Sequence, residues 1–185
     1  MLKQIPNILS VLRILMVPAV LLLIDDKAEH CRWAFYIFMT ASITDFLDGY
    51  LARKYGLGSK LGKLLDPLAD KLLINSVLIW LVALGRVPAW LAVVLIGRET
   101  AITGLRAIAA SQNLVMPAGE MGKDKTMAQM VGVMSLILYF PYHLYFFSAP
   151  LDFKKMGMYM LYVALVLSLL SAFSYAKHLY RAMDW

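Results

Sequence analysis

Cysteine is almost missing from this chain: Cys31 stands alone among 185 residues. That excludes an intrachain disulfide and any zinc site built from several thiolates. Cys31 itself reads as an incidental thiol near a helix end. Histidine is nearly as scarce, and His30, His143 and His178 lie too far apart in sequence for metal-ligand spacing. Charged residues make up only 16% of the chain, too few to solvate a soluble domain of this length. Gly/Ser-rich or Pro-rich linkers, fixed-period repeats and low-complexity tracts are also lacking, so residues 1–185 read as one domain. In their place stands apolar sequence. Hydrophobic residues reach 61% and the mean hydropathy is +0.69, whereas soluble domains are about 45–50% apolar. These values exclude disorder and point to lipid as the surrounding solvent.

A helix needs about 20 apolar residues to cross a bilayer. Six segments fit: 10–24, 32–52, 62–84, 88–109, 125–147 and 155–179. The expected fold class is therefore all-α, a polytopic bundle of six transmembrane helices. Before the first span, Ile5, Ile8, Leu9 and Leu12 share a helical face, and Pro6 suits a first helical turn. Met1 to Leu9 thus reads as a short interfacial helix. A secretory signal peptide fits poorly, because no small-residue cleavage site follows and apolar segments continue throughout. The net charge is +6, but the basic residues are divided among short inter-helix segments. That favours membrane topology and anionic headgroups over nucleic acid. Lys27, Arg32, Arg86, Lys154 and Lys155 fall on one side, and the other thirteen Lys and Arg residues on the opposite side. The larger group marks the cytoplasm, which places both termini there, as in a protein of a bacterial inner membrane.

Four aspartates cluster near the cytoplasmic ends of the second and third spans: Asp45, Asp48, Asp66 and Asp70. A carboxylate in a bilayer costs about 2.5–3.5 kcal/mol even on the lenient insertion scale, so cations are expected beside them. At about 100° per residue, Asp45, Asp48, Gly49, Ala52 and Arg53 share an arc of about 140°, and Gly62, Asp66 and Asp70 a stripe of about 80°. Two antiparallel helices can turn those stripes toward one cavity. An all-oxygen donor set suits Mg²⁺ or Mn²⁺. Gly49, Ala52 and Gly62 leave room for a ligand near the backbone, and Arg53 can grip a phosphate with two parallel bonds. Pro67 disfavours helix at Asp66. A second reading therefore starts the third span there, with Asp66 as N-cap and Pro67 in the first turn. The plain structural alternative is that these acids cap helices or pair with Arg53, Lys63 and Lys71.

The run Asp45-x2-Asp48-Gly49-x2-Ala52-Arg53-x8-Gly62-x3-Asp66-x3-Asp70 resembles the full signature of the CDP-alcohol phosphatidyltransferases. The length and six-span layout are similar to that family over the whole chain. The resemblance implies attack of an acceptor hydroxyl on the β-phosphorus of a CDP-linked lipid, CDP-diacylglycerol, with CMP leaving. It implies that Asp45, Asp48, Asp66 and Asp70 bind two metal ions, Mg²⁺ or Mn²⁺, and that Asp70 is also the catalytic base. Gly49, Ala52, Arg53 and Gly62 would contact the CDP moiety. A homodimer is implied as well.

The acceptor is read from two further segments. Gly97 to Arg106 ends the fourth span, and there Glu99, Thr103 and Arg106 share a face on which Glu99 can orient Arg106. Lys125 and Thr126 stand near the start of the fifth, where backbone N–H groups favour an anion. Arg98, Arg106 and Lys125 together suit a second phosphate, unless they merely snorkel to headgroups. These segments, with Pro6 to Arg13, resemble the branch of the family that uses sn-glycerol 3-phosphate. Phosphatidylglycerol, inositol phosphate or serine as acceptor is the nearest alternative. A cation transporter is the alternative of another class. It would carry polar groups across the bilayer, whereas the acids stop at one side and Leu72 to Leu84 and Leu161 to Leu170 are nearly all apolar.

Overall fold

The computed structural model describes the backbone of residues 5–55, 60–111, 121–142 and 150–182, and side chains over 9–44, 68–69, 71–111, 124–142 and 150–177. Among the described residues there are six helices: α1 (Ile5–Leu23), α2 (Ala28–Tyr55), α3 (Lys60–Ala83), α4 (Ala89–Ser111), α5 (Met121–Leu138) and α6 (Phe153–Ala182). A two-residue antiparallel pair joins β1 (Pro141–Tyr142) to β2 (Leu151–Asp152). The all-α class holds, and each expected span falls on its own helix.

Three boundaries differ from the sequence reading. α1 is continuous from Ile5, so the N-terminal segment and the first span form one helix, with Pro6 in its first turn. α3 is already helical at Lys60. Pro67 therefore lies inside it, and the alternative start at Asp66 is not adopted. A proline inside a helix withdraws one donor from the ladder and crowds the carbonyl one turn back, and the helix continues through it. α5 stops at Leu138 rather than at 147. Tyr139 takes a left-handed φ of 56°, which costs a non-glycine residue roughly 1–2 kcal/mol, and the chain turns into β1.

One apolar core gathers all six helices. Val20 of α1, Ile24 just past its end, Phe38 of α2, and Val77 and Leu81 of α3 pack with Leu91 and Leu95 of α4, Leu136 of α5 and Leu161 of α6. The outer faces are apolar too: Leu22 is 80% exposed, Phe173 71% and Val93 68%. Helix hydroxyls turn back on their own ladder, as Thr40 does to the Tyr36 carbonyl (2.7 Å) and Ser135 to Val131 (2.8 Å), which hides a polar group on an apolar surface. α6 contains a stretch of mean hydropathy 1.9, Phe153–Lys177, long and apolar enough to cross a membrane. It is the one such helix among the described residues, and shorter apolar stretches lie in α1 (Leu9–Leu23) and α3 (Lys71–Ala83).

α5 and α6 cross at two glycines. A Cβ on Gly157 would stand 2.6 Å from Leu136 Cγ and 2.9 Å from the Gly132 carbonyl oxygen. Small residues permit this backbone approach, which sets where α6 meets the rest of the bundle.

Candidate active site

The turn from α3 to α4 fixes the end of the bundle away from the aspartates. Gly85 has φ 67°, and the Arg86 N–H donates to the Leu81 carbonyl (2.9 Å) while that of Gly85 donates to Val82 (2.9 Å). This is a Schellman stop, which needs a left-handed residue and finds glycine. It turns the Arg86 side chain inward, where the residue is 4% exposed. The guanidinium donates to the carbonyls of Leu136 (3.4 Å) and Ile137 (3.3 Å) at the end of α5 and to that of Asp25. It also lies 4.3 Å from the Tyr139 ring centroid. A cation at a helix C-terminus meets the negative end of its dipole. Arg86 thus ties the α1–α2 turn to α5 and holds the left-handed Tyr139. Cys31 is buried beside it, its thiol donating to the Asp25 carbonyl at 3.1 Å. Asp25 prepares the start of α2. The Lys27 N–H donated to its carboxylate, 2.8 Å away, holds that group below the usual carboxylate value, helped by His30.

At the other end, cations from three helices converge. Lys125, in the first turns of α5 and 3% exposed, has its Nζ 3.8 Å from Glu99 Oε1 of α4. Charges on Arg98, Lys71 and Arg106 all act on Lys125 as well. Arg98 is held by neutral groups of α6, donating to the Ser168 carbonyl (2.9 Å) and the Ser171 hydroxyl (2.6 Å). Arg106 lies 5.6 Å from the Tyr175 ring centroid, and Lys71 donates to Thr103 Oγ1 at 2.5 Å. Among the described residues, Glu99 pairs with Lys125 and its charge also acts on Arg98. Buried Gln129 and half-buried Asn75 follow Lys125 and Lys71 by one turn, and Gln129 Nε2 and Asn75 Oδ1 have no hydrogen-bond partner among the described residues. A buried polar atom left unpaired costs about 1–3 kcal/mol, so the bundle interior here is built for something polar.

The structure places Arg98 and Arg106 near enough to Lys125 for their charges to act on it. One detail is corrected. Glu99 faces Lys125 across the α4–α5 boundary, while Arg106 is placed by Tyr175. The partner was set by which helix packs opposite, and spacing within α4 carries no record of that. Sequence reasoning also missed Lys71 as a member of the cluster, and Ser168, Ser171 and Tyr175 as its supports. The position of Lys71 immediately after Asp70 was the available signal.

Asp45, Asp48, Gly49, Ala52 and Arg53 are helical in α2, and Gly62, Asp66 and Asp70 in α3. Their side chains lie outside the described residues. The described carboxylates, histidines and cysteine form no group able to hold a metal. The donor chemistry of the four aspartates, oxygen only and drawn from two consecutive helices, fits a hard divalent cation.

The four aspartates stand at set intervals along α2 and α3, and comparison with known proteins supplies the class. The family model for CDP-alcohol phosphatidyltransferase matches residues 3–176, and this chain belongs to that family. It is 36% identical over 194 residues to the CDP-diacylglycerol--glycerol-3-phosphate 3-phosphatidyltransferase of Bacillus subtilis, covering 97% of each chain. The protein of the same name from Rickettsia typhi is 35% identical over 176 residues, 95% of this chain and 96% of the relative. The one from Mycoplasma pneumoniae is 37% identical over 161 residues, 77% and 71% of the two chains.

Proposed function

We propose that this chain transfers the phosphatidyl group of CDP-diacylglycerol to sn-glycerol 3-phosphate, giving phosphatidylglycerophosphate and CMP in phospholipid biosynthesis. The observation that supports the acceptor assignment is that the charges of Lys71, Arg98 and Arg106 all act on buried Lys125. An acceptor that already bears a phosphate uses that charge, and serine does not. Inositol phosphate would use it equally, and the names of the relatives favour glycerol 3-phosphate. The same relatives are transferases, which favours group transfer over cation transport.

In this reading Asp45, Asp48, Asp66 and Asp70 hold two Mg²⁺ or Mn²⁺ ions. When bound, such ions neutralise the diphosphate and polarise the attacked phosphorus. Gly49, Ala52 and Gly62 admit the CDP moiety close to the backbone, and Arg53 pairs with its phosphate. Arg98, Arg106 and Lys125, with Lys71, hold the phosphate of the acceptor and so orient its hydroxyl. Asp70 accepts the hydroxyl proton as the new O–P bond forms. The bridging P–O bond breaks and CMP carries off its electron pair.

The bundle crosses the bacterial inner membrane six times, with the N-terminal part of α1 at the interface, both termini and the active site on the cytoplasmic side, and two copies forming a homodimer. The apolar outer faces and the inward-turned hydroxyls support a lipid surround. The partners are then membrane lipids and the two substrates, with no nucleic acid. The reading is tested by chelation. EDTA is expected to stop transfer and added Mg²⁺ or Mn²⁺ to restore it, whereas full turnover in chelator contradicts the aspartate assignment.

A further inference from the structure

A cavity of about 460 Å³ lies at the Arg86 end of the molecule, between α2 and the α5–α6 pair. Its volume falls in the roughly 300–1,000 Å³ range of small-ligand sites. Phe35, Met134, Leu138 and Met156 give it apolar walls. It extends along α5 from Val131 to Leu138, about 10 Å of helix. Tyr36, Val131 and Met156, all exposed, stand at its sides, so it opens laterally through the outer face of the bundle. One end is closed. The Tyr142 hydroxyl donates to the Ala28 carbonyl (3.1 Å), and the Phe153 ring packs edge-on against Tyr142 with centroids 5.7 Å apart.

Its polar content is nearly spent. The Ser135 hydroxyl is committed to its own helix, which leaves the Arg32 guanidinium as the one charge in the lining. Arg32 sits one turn from Ala28, at the closed end. The described ion pairs, Asp25 with His30, Glu99 with Lys125 and Asp152 with Lys155, leave it without a carboxylate partner among the described residues. Tyr36 and Tyr142 line the cavity and Trp33 packs edge-on against Tyr36, and aromatic residues of this kind gather at the headgroup level of a bilayer. A laterally open apolar groove, one cation at its interfacial end and an aromatic collar together match an amphiphile with an anionic head.

We propose that this cavity takes an acyl chain of an anionic diacyl phospholipid whose phosphate rests on Arg32, at the face opposite the aspartates. The inference rests on the membrane-embedded reading of the bundle. The site is separate from the transfer site. The segment of α5 it uses begins about 9 Å along the helix from Lys125 and runs away from it to about 20 Å, and none of its lining residues belongs to the proposed catalytic or substrate-binding set.

The test uses the delipidated full-length protein in non-ionic detergent, offered equal amounts of phosphatidylglycerol and phosphatidylcholine with identical chains and read by native mass spectrometry. Retention of one phosphatidylglycerol, about ten-fold over phosphatidylcholine, is expected for one charge-assisted phosphate contact. Arg32→Ala should erase that preference. Val131→Trp, at an exposed position, should block the groove and lower retention of both lipids. Phosphatidylglycerol carrying a diazirine in mid-chain should label the peptide that contains Met134. Retention untouched by either substitution, labelling spread over the outer faces of α1 and α4, or cross-linking of two copies through this groove would each overturn the proposal. Transfer is assayed in the same samples. Activity without a retained lipid sinks this inference alone, and lipid retention in a preparation inactive on every acceptor sinks the transferase reading alone.

Discussion

Arg86 and Lys125 are both buried cations, and both lie against α5, about 18 Å apart along it, yet their surroundings are opposite in kind. Arg86 meets three backbone carbonyls and an aromatic ring. Each of its contacts joins two parts of the fold, and no further partner is needed. Among the described residues, Lys125 meets one carboxylate, at 3.8 Å, and the fields of three other cations. Crowded like charges are unfavourable in a medium of low dielectric, and a bound dianion removes that repulsion. A cation whose acceptors are already present belongs to the architecture. Lys125, set among like charges, is the kind of cation that the proposed acceptor phosphate would neutralise.

Substitutions separate the two roles. The largest effect is expected at the proposed base. Asp70→Asn should lower turnover by about 10²–10⁴-fold while CDP-diacylglycerol still binds, measured by single-turnover assay and lipid binding on the same preparation. Substantial turnover would remove Asp70 from the proton transfer. Arg86→Ala comes next, but in stability. Loss of several hydrogen bonds to a charged donor should destabilise the protein by about 3 kcal/mol, seen as a lower melting temperature, with both KM values unchanged in the protein that remains folded. A raised KM without loss of stability would move Arg86 out of the architecture.

Lys125→Ala and Arg106→Ala should behave the other way. Each should raise the KM for glycerol 3-phosphate about 10–100-fold, the equivalent of one charge-assisted contact, with the KM for CDP-diacylglycerol and the melting temperature nearly constant. Equal effects on both substrates would place these residues outside the acceptor site. Glu99→Gln should give the smallest change, at most about five-fold in the acceptor KM. Its pair with Lys125, at 3.8 Å, is too long for a hydrogen bond, and glutamine keeps the oxygen that faces the lysine. A loss as large as that of Lys125→Ala would make Glu99 a direct participant.

How far the sequence could be read depended on whether a feature lies along one helix or between two. The aspartate signature and the helix count are recorded along the chain, by spacing and by apolar length. Placement of the site cations on α4 and α5 was legible for the same reason. The Glu99 partner was not, because the choice between Arg106 and Lys125 is made by how α4 packs against α6 and α3 and where that leaves the start of α5. The end of α5 was also hidden. The apolar run continues through Tyr139 and Phe140, and periodicity has no term for a left-handed residue held by an arginine from another segment. Arg86 itself had been counted only as a marker of membrane side. Its role as a staple arises from the Gly85 turn that points it inward.

Headgroup analysis of the product made by the purified protein tests the central claim most directly. Labelled CDP-diacylglycerol is supplied with glycerol 3-phosphate, phosphatidylglycerol, inositol phosphate or serine in parallel, with Mg²⁺ or Mn²⁺ present. The account predicts label in phosphatidylglycerophosphate, formed with glycerol 3-phosphate and lost in Asp70→Asn. Label passing preferentially to another acceptor, or to none, would contradict it.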